Sequence, residues 1–120
     1  EMNGHTAPVH VSRTEANTAD ALRRAGDHLR DKLGSGVLVL GAVIEGQPSV
    51  VVMVTKDLNA KGFHAGNIAR GIANILGGGG GGRPDVAQAG GKDPARLNEA
   101  LAAIERVIKE SNSANSGGQK

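Results

Sequence analysis

The chain has 120 residues, hydrophobic side chains make up 38% of it, and it contains no cysteine, tryptophan or tyrosine. That length fits one domain. The missing thiols exclude disulfides, thiolate metal sites and cysteine nucleophiles, and no apolar run approaches the roughly 20 residues of a membrane span.

The formal net charge of +2 is too small to argue for nucleic acid by itself. Its distribution says more. Residues 56–92 carry Lys56, Lys61, Arg70, Arg83 and Lys92 against only Asp57 and Asp85. A local excess of this size guides a phosphate backbone weakly.

Residues 1–8 are polar and expected to be disordered. They lack the basic-then-apolar pattern of a signal peptide, and they look like the cut edge of a longer protein or an artificial scar. Val9-His10-Val11 reads as a short strand, and Ser12 with Glu15 as a capping box. A helix is predicted from about Thr14 to Leu33, with Leu22, Ala25, Leu29 and Leu33 on one face. Asp20 and Asp27 are placed to meet Arg24 and Arg30 on the outside, and Gly34 is suited to the left-handed C-terminal cap. Val37–Ile44 and Val50–Val54 are unbroken apolar strands separated by Glu45-Gly46-Gln47-Pro48, which reads as a hairpin covered on both faces.

A second helix is predicted from about Asn59 to Leu76, with Ala65, Ile68, Ala69, Ile72, Ile75 and Leu76 as its apolar stripe. Gly62, Gly66 and Gly71 weaken it by about 1 kcal/mol each against alanine. Gly77–Gly82 is a run of six glycines, and Arg83–Ala89 after it holds a possible short strand. Asp93-Pro94 is a helix start. The third helix is expected to run to about Glu110, with Leu97, Leu101, Ile104 and Ile108 inward and Glu105 paired with Lys109. The tail, 111–120, is polar and expected to be disordered. The domain is therefore 9–110. Its order of elements implies an α/β fold: a small mixed sheet of about four strands with three packed helices.

The glycine run is the sharpest feature. Such a run is a flexible linker in isolation, but this one lies between a helix and a patterned segment and contains no serine. Ordering a glycine costs roughly 0.5–1 kcal/mol relative to alanine, and the usual return is close approach of bare backbone to another backbone or to a phosphate-bearing ligand. It is not a P-loop, because Arg83-Pro84 follows where Lys-Ser or Lys-Thr is needed. It is not a dinucleotide fingerprint, because a helix precedes it where a strand is needed.

The sequence GGGGGGRPDVAQAGGKD, residues 77–93, resembles the signature of the C-terminal domain of the alanyl-tRNA synthetases. The flanks agree: Leu33-Gly34-Ser35-Gly36-Val37-Leu38-Val39-Leu40, Val54-Thr55-Lys56-Asp57-Leu58 and Lys61-Gly62. The resemblance covers roughly residues 9–110. This domain is similar to the DHH-associated domain that follows phosphoesterase cores, where a GGGH motif contacts the substrate phosphate; here Arg83 stands in place of that histidine.

The resemblance implies a DHH-associated fold in a cytoplasmic class II synthetase. Upstream domains would use ATP and Mg²⁺, with Zn²⁺ a further candidate there, while this fragment has no cofactor and no catalysis of its own. It would hold the elbow of alanine-specific tRNA and support aminoacylation and editing, and in some members it contributes to a homodimer. The RNA-binding residues expected on this reading are Lys61, Arg70, Gly79, Gly80, Gly81, Gly82, Arg83 and Lys92.

Three other functions stay open: the substrate-binding domain of a DHH-type phosphodiesterase, the equivalent domain of a free-standing tRNA editing protein, and a dimerisation module. The histidines His5, His10, His28 and His64 form no metal-spaced pair. His64 reads as a surface residue beside the basic segment. With no aromatic pair to stack splayed bases, the chain suits a structured RNA surface read by shape and phosphate.

Overall fold

A computed structural model describes residues 9–109. The expectations for residues 1–8, Glu110 and the tail lie outside these. The strands are β1 (Val9–Arg13), β2 (Val37–Ile44), β3 (Gln47–Val54), β4 (Gly80–Gly82) and β5 (Val86–Gly90). The helices are α1 (Ala19–Leu33), α2 (Lys56–Asn59), α3 (Ala65–Leu76) and α4 (Arg96–Ala102), and residues 104–109 are helical again. The five strands form one sheet in the order β1-β2-β3-β5-β4. Only the β1–β2 pair is parallel.

The sheet is covered on both faces because β2 and β3 are apolar at every central position. Successive side chains point to opposite faces. Leu38, Leu40, Ala42, Val51 and Met53 therefore cluster with Leu22 of α1 on one face. Val37, Val39, Val50, Val52 and Val54 face the other way, into a larger core with α3, α4 and Ile104, Val107 and Ile108. Each such side chain contributes about 1.5–3 kcal/mol when fully buried, so both helical layers are tied to the sheet. Helix α1 lies close because Gly26 is opposite Met53: a side chain there would meet the Met53 methyl at 2.9 Å.

The hairpin turn is tighter than expected. Glu45 and Gly46 both have positive φ, 52° and 78°, as a two-residue type I′ turn requires. Strand β3 therefore starts at Gln47 and includes Pro48, which pairs with Val43. The Pro48 carbonyl accepts from the Gly91 N–H at 3.3 Å, on the β5 side. Its ring nitrogen thus faces the end of β5, beyond the last ladder pair Ser49–Gly90, where a missing donor is tolerated.

The ends of α1 at Leu33 and α3 at Leu76 are as expected, but each helix start differs from expectation for a local reason. Ser12 is not a cap, because β1 runs to Arg13 and Ser12 pairs with Leu40. Thr18 caps α1, its hydroxyl accepting from the Ala21 N–H at 3.0 Å. The expected 59–76 helix breaks into α2 and α3, with Gly62 at φ 101° between them. Asp93 forms a local turn with the Ala95 N–H, 3.0 Å, and α4 begins only at Arg96. The final helix is interrupted at Ala103, and no Glu105–Lys109 ion pair forms among the described residues, whereas Asp20–Arg24 and Asp27–Arg30 do pair, at 2.9 and 3.2 Å. The sheet has five strands, one more than the sequence suggested, because the glycine run itself supplies β4.

Candidate nucleic-acid interface

Helix α3 and the segment after the glycines are built into each other. The first amides of α3 have no partner inside the helix. Here the Ala65 N–H donates to the Pro84 carbonyl at 2.8 Å and the Gly66 N–H to the Arg83 carbonyl at 3.1 Å. The Asn67 N–H donates to His64 Nδ1 at 3.2 Å. His64 is therefore a helix cap, which the sequence reading missed; the signal was its place directly before the apolar stripe. With these amides occupied, the start of α3 offers nothing to an anion.

Strand β4 is the edge of the sheet, paired only with β5: Gly80 opposite Ala89, Gly81 opposite Gln88, Gly82 opposite Ala87. Its glycines serve two different purposes. On the α3 side, side chains at Gly80 and Gly82 would meet the Ala69 carbonyl at 2.9 Å and the Ala87 main chain at 2.7 Å. A side chain at Gly78 would collide with the Gly90 carbonyl. These three are bare so that helix, edge strand and β5 can touch through their backbones. Gly77 is the left-handed cap of α3, and Gly81 has φ 149°. Gly79 is different. A side chain there would meet nothing within 4 Å, and its φ lies outside the range that excludes other residues.

The opposite face of β5 and β4 is open. Gln88 pairs with Val51 and with Gly81, so all three lie on the face that α1 covers. Val51 is buried under α1, while Gln88 is exposed. The α1-side cluster takes in Val86 at the start of β5 but leaves Gln88 uncovered, so the roof gives out along β5, leaving a ledge. Arg70 of α3 reaches this ledge: its Nε lies 3.8 Å from where a Gly81 side chain would start. Its guanidinium also donates to Asn67 Oδ1 at 3.2 Å. Gln88 and Asn67 are thus polar members of the site that the charge pattern did not single out.

The expected cations are spread around this edge of the sheet. Arg83 follows Gly82, with 70% of its side chain exposed and only a long 3.9 Å contact to Asp85. Lys61 is at the same end, in the α2–α3 loop, which Asn59 ties to Pro84 by a 2.9 Å hydrogen bond. Lys92 lies at the other end, after the Gly90-Gly91 junction. Arg83 pairs with Val86 and Gly79 with Gly90 through backbone hydrogen bonds of 3.0 Å each, so the two ends are four residue steps, roughly 13 Å, apart. Arg70 lies beside Gly81, its Nε 3.8 Å from where a side chain there would begin; Lys61 and Lys92 are not brought together.

A second polar cluster accounts for the flanking motifs. Asp57 accepts from the hydroxyls of Ser35 and Thr55, and Thr55 Oγ1 also accepts from the Gly36 N–H at 3.0 Å. The Ser35 hydrogen bond, then that of Thr55, holds the Asp57 carboxyl below the ordinary aspartate value. This clasp joins the start of β2 to the start of α2. No helix of the described residues is long and apolar enough to cross a membrane.

Residues 6–110 match the DHHA1 domain family. Alanine–tRNA ligase from Dehalococcoides mccartyi is 56% identical over 98 residues, covering 82% of this chain. That from Acetivibrio thermocellus is 53% identical over 109 residues, covering 91%. The chain spans 11% and 12% of the length of these relatives. Among solved structures, the C-Ala domain of alanyl-tRNA synthetase from Aquifex aeolicus superposes with a TM-score of 0.73 at 30% identity, covering 83% of this chain and 89% of that one. The chain belongs to the DHHA1 domain family and has the architecture of its C-Ala member.

Proposed function

We propose that this domain is the tRNA-binding module of an alanine–tRNA ligase, and that the ledge of β4 and β5 is the surface that meets the tRNA elbow. The observation that carries the reading is Gly79. Neither packing nor backbone conformation calls for a glycine there, and it directly precedes β4, where Gly81, two residues on, adjoins Arg70. A bare position facing outward beside a cation suits close approach of a polyanion. Lys92 and Arg83 at the two ends, with Lys61 beyond Arg83, extend the positive edge. The exposed amides of an edge strand add donors along it.

On this reading the fragment has no catalytic step. The ATP- and Mg²⁺-dependent activation of alanine, and editing of mischarged tRNA, belong to other domains of a cytoplasmic parent enzyme. The domain supports both by holding one tRNA. Fluorescence titration with alanine-specific tRNA at two salt concentrations tests this. Binding that weakens steeply with salt is expected, since each neutralised phosphate releases counterions. Absence of binding at low salt refutes the reading and favours a dimerisation module.

A further inference from the structure

Beyond the ledge, at the C-terminal end of α1, lies a cleft of about 410 Å³ lined by Arg30, Asp31, Thr55, Lys56 and Asp85. It is separate from the glycine strand but not from the charges around it. Asp85 forms one wall and also makes the 3.9 Å contact with Arg83. The cleft therefore opens beside the Arg83 end of the ledge, on the face where α1 stops short.

Its composition is specific. Lys56 has no ion-pair partner among the described residues, and neither has Asp31. Arg30 is held by Asp27 at 3.2 Å. Thr55 is fixed by the Gly36 N–H and by Asp57, so one wall is rigid before any ligand arrives. A site of cations alone would suit a bare phosphate. This one places two carboxylates beside two cations. Carboxylates accept hydrogen bonds from hydroxyls, and cations take phosphate oxygens. A ribose-phosphate unit presents both groups.

We infer that this cleft holds one ribose-phosphate unit of the RNA that lies on the ledge, with its phosphate at Lys56 and Arg30 and its 2′-hydroxyl at Asp31, since Asp85 is engaged by Arg83. The inference rests on the tRNA-binding reading and adds a specificity to it. The 2′-hydroxyl is what distinguishes RNA from DNA at a given contact, so the cleft makes the domain prefer RNA.

The test compares Lys56→Gln, Asp31→Ala, Arg70→Gln and, as a control on the exposed side of α1, Arg23→Gln. Each is titrated with tRNA and with a DNA copy of the same sequence over a series of salt concentrations. Lys56→Gln is expected to weaken tRNA binding about two- to five-fold at low salt and to lower the salt slope by about one. Asp31→Ala is expected to narrow the preference for RNA over DNA. Arg23→Gln is expected to change neither. Thermal unfolding followed by circular dichroism checks that each variant folds.

If Arg70→Gln weakens binding and Lys56→Gln does not, the cleft proposal is overturned and the ledge stands. If an unaltered RNA preference accompanies Asp31→Ala, the ribose assignment is overturned. If neither Arg70 nor Lys56 matters, both readings fall together.

Discussion

The carbonyl oxygen of Gly82 lies 2.6 Å from the point where a side chain on Gly66 would begin. Helix and edge strand therefore meet backbone to backbone. Helix propensity alone would make Gly66→Ala favourable by about 1 kcal/mol. The clash opposes this, and no rotamer change relieves a clash with a main-chain carbonyl. Overpacking of this kind costs about 1–3 kcal/mol, and the distance places it at the upper end. Gly66→Ala is expected to lower the unfolding midpoint in urea. A rise would show that β4 can withdraw from α3 at little cost.

Gly79 should behave in the opposite way. The Cβ of Gly79→Val meets no neighbour within 4 Å, and the substitution is expected to leave stability within about 0.5 kcal/mol. It projects from the ledge, however, and should weaken tRNA binding about tenfold, equivalent to roughly 1.4 kcal/mol. Paired equilibrium unfolding and tRNA titration read the two effects separately. A variant that binds as well as the parent would remove the ledge as the docking surface.

Arg83→Ala tests the charge at the end of β4. Its only ion-pair contact among the described residues is the exposed 3.9 Å one to Asp85, which contributes little to stability. The segment is instead held by main-chain bonds from Arg83 and Pro84 to α3, which alanine preserves. Folding should be unchanged, while tRNA binding weakens and its salt slope falls by about one. Loss of folding would make Arg83 a structural residue.

Asp57 predicts an acid sensitivity. Its carboxyl is held below the ordinary value of 3.8 by the Ser35 and Thr55 hydroxyls. The folded state therefore favours the ionised form. Its contribution is fully present above the unfolded aspartate value and is lost as pH falls through the lowered folded one. In Asp57→Asn that part of the pH dependence should be absent, so parent and variant should converge in stability at acid pH. Urea unfolding across pH 2–6, a window of roughly two units either side of aspartate titration, gives the comparison. Parallel curves would contradict the clasp.

Much of the fold was legible because β2 and β3 are long, apolar and β-branched, which fixes a doubly covered sheet. The stripe of Ile68, Ala69, Ile72 and Leu76 likewise identified α3. The boundaries were less legible because competing signals were equal in strength. Ser12 and Thr18 are both good caps, and only the pairing of Ser12 with Leu40 decides between them. Strand β4 was hidden for a different reason: glycine has low strand preference, and its pairing is imposed by β5 and α3 rather than by its own sequence.

At the candidate site the arginines and lysines were visible as charge. Which of them border β4 was not, since that depends on the packing of α3 and β5 against it. The split of the glycines into those that pack inward and those on the ledge was equally invisible. The flanking Gly34-Ser35-Gly36 and Thr55-Lys56-Asp57 segments were recognisable as motifs, but their reason is a contact across the fold.

The capping of α3 by the Arg83 and Pro84 carbonyls makes two distant stretches of chain report on one another. The Ala65 and Gly66 amides become exposed to solvent whenever the segment after the glycines lifts away. Their hydrogen-exchange rates therefore measure how firmly that segment is anchored. A ligand that clamps the ledge should slow exchange at two amides it never touches.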